Sequence, residues 1–499
     1  MKIFLLYFLF SFTLPAQDSP SVSVVKKPPR NPYLYIIVRE SDATARLWEG
    51  FSLVRKANAG DAAAQHELGI RYLIGQGFTA DSVKAFTLIT QSADQQYMLA
   101  HYNLGVFYSN GWGTPWNPFN AFNHFRIAAQ NGMPEALFAL GLNYTDNLVI
   151  KQNWDTAYFY VKQAADKKYQ PAIEVLDKLA KLAKKSNDEQ SEKQTSLNVI
   201  SQSTQTNFTP VFLDFDEDST KPANDKELLE DILRELPTQK YVKDSLNISS
   251  KEIFESLRKH ANLGVPEEFT VIGRFYETGQ FVKRDSIKAA AYYMRAVRLE
   301  SRRAPAMLQR LLNVSGFTER IEQLAKKQNS EAMYLFGCLA LTGGTSFSRE
   351  QGFQSLQRAA DAGNVPAMIE TGNALLNGQV MEREIPKAIQ YLRNAEEKGY
   401  FEARVRLATA RLLVDVPGMS LDSAISILHW AEKEGSITAQ TTLGICFEQG
   451  IGEPKKTAEA VRYYRYAAQR GSLTSYNALK RLYDSLRPNT PEFTIDDFH

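Results

Sequence analysis

The sequence predicts an all-α protein: an α-solenoid of antiparallel helix pairs with a 36-residue repeat, in two arrays joined by a flexible linker. A leucine–glycine pair recurs at that interval, as Leu68-Gly69, Leu104-Gly105 and Leu140-Gly141. Self-similarity at a fixed period of about 20–50 residues is typical of stacked repeat proteins. Such arrays usually bind other macromolecules along an extended surface, so the repeat also indicates a broad role.

Each repeat is predicted to form two helices with a glycine-containing turn between them. In the first copy, Ala64, Leu68 and Tyr72 are spaced four residues apart, which places them on one helical face. Gly75 is expected to end this helix, because glycine tolerates the left-handed conformation found at helix ends. Asp81 is a candidate N-cap for the second helix.

The glycine after each repeated leucine requires a reason, because a glycine inside a helix costs about 1 kcal/mol relative to alanine. We expect the gain to be close approach of the neighbouring helix, where a Cβ atom would collide. Small residues on the second helix fit the same tight interface. They keep the same 36-residue step as Ala85, Ala121 and Ala157.

Together these residues match a known pattern. The order A-x-x-x-L-G-x-x-Y-x-x-G-x-G, then D-x-x-K-A and A-A-x-x-G, resembles the Sel-one-like repeat (SLR), a branch of the tetratricopeptide superfamily. The best copies span residues 64–93, 100–132 and 439–471. Members of this family are α-solenoids that typically serve as adaptors or scaffolds. The resemblance therefore implies that this chain binds other proteins and is not an enzyme.

The repeat pattern and the local composition divide the chain into six segments. They are a signal peptide (1–16), an N-terminal linker (17–40) that is expected to be unstructured over residues 17–31, a first SLR array (41–183), a polar linker with a short helix (184–245), a second SLR array (246–486) and a flexible tail (487–499). The linker is expected to be flexible because polar residues dominate it and cannot bury enough apolar surface to offset ordering. The unit around Leu308 is degenerate and is expected to bend or loosen the stack.

The N-terminus has the features of a secretory signal. Lys2 precedes a mostly apolar run over residues 3–14, and Ala16 supplies a small residue for cleavage. The run is shorter than the roughly 20 residues that span a bilayer. No cysteine follows it for a lipid anchor, and no other stretch approaches transmembrane length. We expect a periplasmic or secreted protein without membrane insertion after cleavage; an uncleaved anchor is the alternative interpretation.

The sequence offers no motif for catalysis, metal binding or cofactor binding. None of the six histidines forms an i, i+4 pair, so we interpret them as scattered surface or interface residues. The CxxC, HExxH and G-x-S-x-G patterns are absent. A net charge of +2 gives no indication of a nucleic-acid partner. Cys338 and Cys446 lie three repeats apart, too far for a disulfide, and are expected to be buried core residues.

Aromatic side chains are the candidate protein-binding residues. Trp112 lies between two turn glycines, and Trp116 lies in a Thr-Pro-Trp-Asn-Pro loop. Loop tryptophans make good interface anchors. Tyr102, Phe138 and Tyr334 stand two residues before the repeated hydrophobic position, on the side expected to line the concave surface. For both groups, packing between neighbouring helices or repeats is the alternative interpretation.

The preferred function is an exported scaffold for protein–protein interactions in the cell envelope. Assembly or regulation of cell-wall enzymes is suggested by the family resemblance alone. The alternatives are a secreted factor that binds host proteins, a cell-wall or β-lactam hydrolase, and a purely structural role. Some cysteine-rich SLR proteins have been linked to β-lactams, but this chain lacks their paired cysteines. Two acidic-aromatic pieces, residues 212–218 and 495–498, are interpreted either as docking peptides or as solvated disorder.

Overall fold

The computed structural model describes residues 22–24, 37–39, 46–196, 250–279, 281–342, 348–378 and 380–495. These residues form 22 α-helices, one 3₁₀ turn and two strands of three residues each. Consecutive helices pack as antiparallel pairs, so the predicted α-solenoid is confirmed. The predicted signal peptide and the short helix of the polar linker lie outside the described residues.

The chain forms two compact units. One unit contains the described residues from 22 to 196, together with 457–462 and 477–495. The other contains the described residues from 250 to 456, together with 463–476. The last residues of the chain therefore belong to the unit that contains the first array.

Two short strands precede the first array. Val22–Val24 (β1) pairs in antiparallel register with Ile37–Arg39 (β2), with Val22 opposite Arg39. The sequence predicts an unstructured segment over residues 17–31, and the structure differs at Val22–Val24, which lies within it. Both strands contain β-branched residues, which favour extended pairing.

Eight helices lie between residues 46 and 196. They are α1 (Arg46–Asn58), α2 (Ala62–Ile74), α3 (Ser82–Asp94), α4 (Met98–Asn110), α5 (Pro118–Gln130), α6 (Pro134–Asn143), α7 (Trp154–Asp166) and α8 (Gln170–Ser196). The predicted helix ends are confirmed in the first repeat. Gly75 ends α2 with a φ of 74°, and the Asp81 carboxylate accepts the backbone N–H groups of Val83 and Lys84 at the start of α3.

Helix α8 continues beyond the predicted end of the first array at residue 183 and runs to Ser196. The polar composition of this stretch predicts a flexible linker, and the structure differs there. Several residues of the stretch are Lys, Glu and Gln, which have a high intrinsic preference for helix. Low hydrophobicity therefore does not end this helix.

The glycines after the repeated leucines lie where a neighbouring helix approaches most closely. A Cβ atom on Gly69 would lie 2.9 Å from Cγ1 of Ile89, and one on Gly141 would lie 2.8 Å from Cγ2 of Val161. These distances are shorter than a Cβ atom tolerates. The predicted reason for the mid-helix glycine is thus confirmed.

Fourteen helices lie between residues 250 and 484 in the described part of the chain. They are α9 (Ser250–Ala261), α10 (Pro266–Thr278), α11 (Ser286–Arg298), α12 (Ala304–Leu312), α13 (Phe317–Lys326), α14 (Ser330–Leu341), α15 (Arg349–Asp361), α16 (Val365–Asn377), α17 (Ile385–Glu397), α18 (Phe401–Leu413), α19 (Leu421–Lys433), α20 (Ile437–Gln449), α21 (Thr457–Gln469) and α22 (Leu473–Asp484). The 3₁₀ turn Pro491–Phe493 follows α22.

The degenerate unit around Leu308 is shortened but stays packed. Its helices α12 and α13 have 9 and 10 residues, whereas most helices of the arrays have 13. Leu308, Phe317 and Ile321 lie in one hydrophobic core with the repeats that follow. The unit therefore shows no loss of packing, although the sequence allows a looser stack.

Early helices of the second array contact later ones directly. The Arg295 guanidinium on α11 forms buried ion pairs with Glu370 on α16, at 3.2 Å, and with Glu402 on α18. The backbone carbonyl of Asn262 accepts the N–H of Glu402 at 2.9 Å. Non-consecutive repeats of this unit are thus linked by buried charge, a contact that no repeat period predicts.

Candidate protein-binding surface

The loop between α4 and α5 holds one of the two predicted tryptophans in a fixed position. Gly111 ends α4, and the Trp112 N–H donates to the carbonyl of Phe107 at 3.1 Å. Gly113 adopts a φ of +64°, and a Cβ atom there would overlap the backbone carbonyl of Ser82. The Trp112 ring packs edge-on against Phe107 at 6.0 Å and remains half-buried. A partner protein can reach the rest of its surface.

Trp116 lies in the same loop but is covered. Its ring packs edge-on against Tyr483 at 5.0 Å, and only 6% of the residue is exposed. The sequence predicts both tryptophans as loop anchors, whereas the structure gives them different environments. The reason is the C-terminal segment, which packs against one side of the loop.

The three aromatic residues of the predicted concave column are buried. Tyr102 packs 5.7 Å from the ring of Phe125, and Phe138 packs 5.5 Å from the ring of Tyr169. Tyr334 lies in the core of the second array. A buried ring contacts a partner only if its neighbours move. Packing therefore describes the position of these rings, and a binding role for them stays a prediction.

The C-terminal segment fills an aromatic groove on α5. The Phe493 ring is buried and packs edge-on against Phe119, at 5.2 Å, and against Phe122, at 5.7 Å. The sequence predicts a flexible tail over 487–499, and the structure differs for residues 487–495. The apolar surface that Phe493 shares with the two α5 rings favours the docked position.

Polar contacts flank this aromatic cluster. Arg487 donates to the backbone carbonyls of Leu148, at 2.7 Å, and Val149, at 3.2 Å. On the other side, the Glu492 carboxylate pairs with the Arg126 guanidinium on α5. We call the surface formed by Phe119, Phe122, Arg126, Leu148 and Val149 the α5 groove.

The α5 groove is not a general feature of the repeat. The position of Phe119 holds Val83 one repeat earlier and Asp155 one repeat later. Val83 is 63% exposed, whereas Phe119 is 1% exposed. The difference arises because Phe493, Tyr483 and Arg487 cover Phe119. The repeat pattern therefore does not require an aromatic ring at this position.

Sequence reasoning missed this groove, although a signal was present. Phe122 is expected to be a core residue from its helical spacing, and its burial agrees with that expectation. Phe119, however, breaks the repeat at a position that is polar or exposed in its neighbours. A large apolar residue that departs from the repeat at an outward position indicates a contact outside the repeat.

Helix packing in the first array brings together histidines that the sequence places far apart. Nδ1 of His101 lies 3.1 Å from Nδ1 of His124, and Nε2 of His66 lies 2.7 Å from Nδ2 of Asn103. His66 and His101 are buried rather than scattered on the surface. Burial lowers the pKa of His66 and of His124 to about 4, so both rings are neutral at pH 7.

The described residues contain no group of three or more His, Cys, Asp or Glu side chains placed to hold a metal ion. Cys338 and Cys446 are buried and unpaired, as predicted. None of the described helices combines the length and the apolar character needed to cross a membrane.

Comparisons with solved structures match this chain to two repeat proteins. One is c5321, a protective antigen of uropathogenic Escherichia coli with an SLR fold. It is 21% identical over 88% of this chain and 91% of that chain, with a TM-score of 0.31. Another is a Sel1 repeat protein from Oxalobacter formigenes, 17% identical over 89% of this chain and 82% of that chain, with a TM-score of 0.21. No curated protein matches the sequence.

The Sel1 repeat family matches seven segments of the chain. They are residues 62–97, 99–133, 134–169, 270–301, 330–364, 365–400 and 437–472. Each matched segment contains a helix pair described above, such as α2–α3 or α16–α17. The degenerate unit at α12–α13 lies outside the matches, in agreement with its shortened helices. The repeated helix pairs and these seven matches together identify the chain as a member of the Sel1 repeat proteins.

Proposed function

We propose that this chain is an exported scaffold that binds other proteins in the cell envelope and assembles or regulates enzymes that act on the cell wall. Sel1 repeats generally mediate protein–protein interactions, which supports the binding role. The signal features of residues 1–16 support export.

The observation that carries the binding role is the position of Trp112. Two glycines and a hydrogen bond to Phe107 hold the turn, and the tryptophan ring is left half-buried. A rigid aromatic ring loses little conformational freedom when a partner covers it. Aromatic anchors of this kind dominate the binding energy of many protein interfaces.

Affinity capture from an envelope fraction tests the proposal. The full-length chain serves as bait, alongside Trp112→Ala and the control Trp430→Ala, whose ring on α19 is 41% exposed. We expect the native chain and the control to recover the same partner, and Trp112→Ala to lose it. A Trp112→Ala variant that retains the full partner set contradicts the anchor role.

Cell fractionation tests the location. We expect the mature chain in the periplasmic extract, shortened by removal of its first 16 residues. Recovery in the culture supernatant alone contradicts an envelope scaffold and favours a secreted factor. Mass spectrometry of the mature N-terminus identifies the cleavage position.

A further inference from the structure

We propose that the α5 groove is a recognition site for partner segments in which an acidic residue precedes a phenylalanine. In this proposal, the chain's own Glu492-Phe493 occupies the groove until such a segment displaces it. This inference rests on the protein-binding function proposed above and adds the chemistry of one partner and a competing internal ligand.

The α5 groove has more apolar surface than the repeat itself requires. Phe119 stands where the neighbouring repeats have an exposed valine and an exposed aspartate, Val83 and Asp155. Without Phe493, the Phe119 ring would lose one of the aromatic residues that cover it. An exposed phenylalanine at this position is unfavourable in water, so the surface favours an occupant.

The contacts of Glu492 and Phe493 in the α5 groove indicate the chemistry of the segment that the groove accepts. The aromatic cluster accepts one phenylalanine edge-on, in the geometry that aromatic pairs prefer. The Arg126 guanidinium pairs with the carboxylate of the preceding residue, Glu492, and also donates to Asn123 at 2.9 Å. A site for one aromatic ring beside one cation is suited to a segment in which an acidic residue precedes a phenylalanine.

The resident segment is held mainly by two side chains, Phe493 and Arg487. Among the described residues 484–495, Phe493 alone is buried. The ion pair between Arg126 and Glu492 is more than one third exposed on both sides, so its effect on the affinity of the segment is at most severalfold. Release therefore exposes the Phe493 ring together with the α5 rings that it covers and breaks the two hydrogen bonds of Arg487 to the groove, while the helix pairs of the repeats keep their own contacts.

The same pair of residue types occurs elsewhere in the chain. Asp214-Phe215 and Asp497-Phe498 both place an acidic residue before a phenylalanine, and both lie outside the described residues. The partner segment that we propose has this chemistry and is carried by another protein. A second copy of this chain is the competing occupant, and the experiment below separates the two.

Fluorescence anisotropy with a labelled peptide of residues 487–495 tests the inference on the full-length chain. The native chain should bind the peptide weakly, because the tethered segment competes at an effective concentration in the millimolar range. Phe493→Ala should bind it about tenfold more tightly or better, because the resident ring is gone. Phe159→Ala is the matched control: this phenylalanine on α7 is 56% exposed, and the variant should behave as the native chain does.

A charge exchange tests the role of Arg126. In the Phe493→Ala background, Arg126→Glu should weaken the native peptide severalfold, and a peptide with Glu492→Lys should recover the loss. If Phe493→Ala fails to fold, Glu492→Lys in the full-length chain weakens the resident segment without removing its ring. That variant should still raise the affinity for the native peptide.

Two results would overturn the inference. One is equal affinity of the peptide for the native chain and for Phe493→Ala with its helix content intact. The other is a native chain that dimerises through residues 487–495, since a second copy would then be the occupant. Failure of peptide binding with envelope capture unchanged leaves the proposed function standing. If the peptide binds but no partner is captured, the inference about the α5 groove is supported and the proposed role in the envelope is contradicted.

Discussion

The two arrays use the same repeat but bury different kinds of polar group. The first array buries neutral histidines, with His66 against Asn103 and His101 against His124. The second array buries Arg295 between the carboxylates of Glu370 and Glu402, and it also buries the Glu268 carboxyl group beside His260. The repeat therefore determines the helix pairs, but it does not determine which polar side chains each array buries.

Because the buried polar groups differ, the stability of the two arrays should depend on pH in opposite directions. A histidine that burial keeps neutral makes the folded chain less stable in acid, because the unfolded chain then binds a proton that the folded chain does not bind. A buried group that binds its proton more tightly in the folded chain has the opposite dependence. We expect the first array to weaken in acid and part of the second to weaken in alkali.

The largest expected effect is the loss of Arg295. The Arg298 and Arg295 charges outweigh the effect of burial and hold the pKa of Glu370 below its usual value, so that carboxylate stays charged. Arg295→Met leaves Glu402 without its buried partner and should destabilise the second array by about 3–5 kcal/mol. Hydrogen exchange of α10, α11 and α18, read by mass spectrometry, measures the change helix by helix.

The first array supplies the matched control. Arg126 pairs with Glu492, and both side chains are more than one third exposed. Arg126→Ala should therefore change the stability of the first array by about 0–1 kcal/mol. Equal costs for the two arginine substitutions would contradict the contrast between a buried pair and an exposed one.

The next effect is acid sensitivity of the first array. Burial lowers the pKa of His66 from 6.5 to about 4. The stability that the neutral ring provides is complete above pH 6.5 and is lost as the pH falls towards 4. A shift of this size is equivalent to about 3 kcal/mol. Hydrogen exchange of α2 and α4 between pH 7 and pH 4 should show this loss, after correction for the intrinsic rate.

His66→Gln removes the titrating group and keeps an amide that can face Asn103. The variant should flatten the pH dependence of α2 and α4, although it lowers stability at pH 7. A slope that does not change would assign the acid sensitivity to another group, such as His101 or His124, whose pKa values burial also lowers.

The repeat units could be predicted from the sequence because their signals are local and recur. Ala64, Leu68 and Tyr72 define a helical face within nine residues, and Gly75 and Asp81 mark the ends of two helices. Each signal appears again 36 residues later, so errors at one copy are corrected by the next. The structure confirms the helix pairs for this reason.

The contacts between distant parts of the chain could not be predicted in the same way. Arg126 and Glu492 are 366 positions apart, and Arg295 and Glu402 are 107 positions apart. Neither pair belongs to a repeated pattern. Pro491 and the acidic residues near it resemble solvated tail sequence, because nothing in the sequence around Phe493 indicates that it packs against Phe119. Trp116 is buried for the same reason, through its contact with Tyr483.

A smaller effect concerns the glycine contacts that both arrays share. A Cβ atom on Gly105 would collide with the Phe125 ring, and one on Gly444 would lie 2.6 Å from Cδ1 of Tyr464. Gly105→Ala and Gly444→Ala should each destabilise their own array by about 1–3 kcal/mol through overpacking. Phe125→Leu combined with Gly105→Ala should recover part of the loss. Stability equal to the native chain would contradict the close-packing role of these glycines.

The smallest expected effect is the alkaline response of the second array at α9 and α10. Burial alone lowers the pKa of His260, but its hydrogen bond and charge contact with Glu268 outweigh burial, so the pKa of His260 rises above 6.5. Burial also raises the pKa of Glu268 from 4.5 to about 7. Both groups therefore hold protons more tightly in the folded chain than in the unfolded chain.

These two pKa shifts determine how the stability of α9 and α10 depends on pH. The Glu268 contribution to stability is complete below pH 4.5 and is lost as the pH rises through about 7. The His260 contribution is complete below pH 6.5 and is lost as the pH rises through the raised pKa of the folded chain. Hydrogen exchange of α9 and α10 should therefore show lower protection at pH 8 than at pH 6, after correction for the intrinsic rate. Glu268→Gln should abolish most of this difference, because it removes one titrating group and the contact that raises the pKa of His260. Glu434→Gln, which removes the partner at 3.4 Å, should reduce the difference less. A first array that weakens over the same range would show that the two arrays do not differ in the sign of their pH dependence.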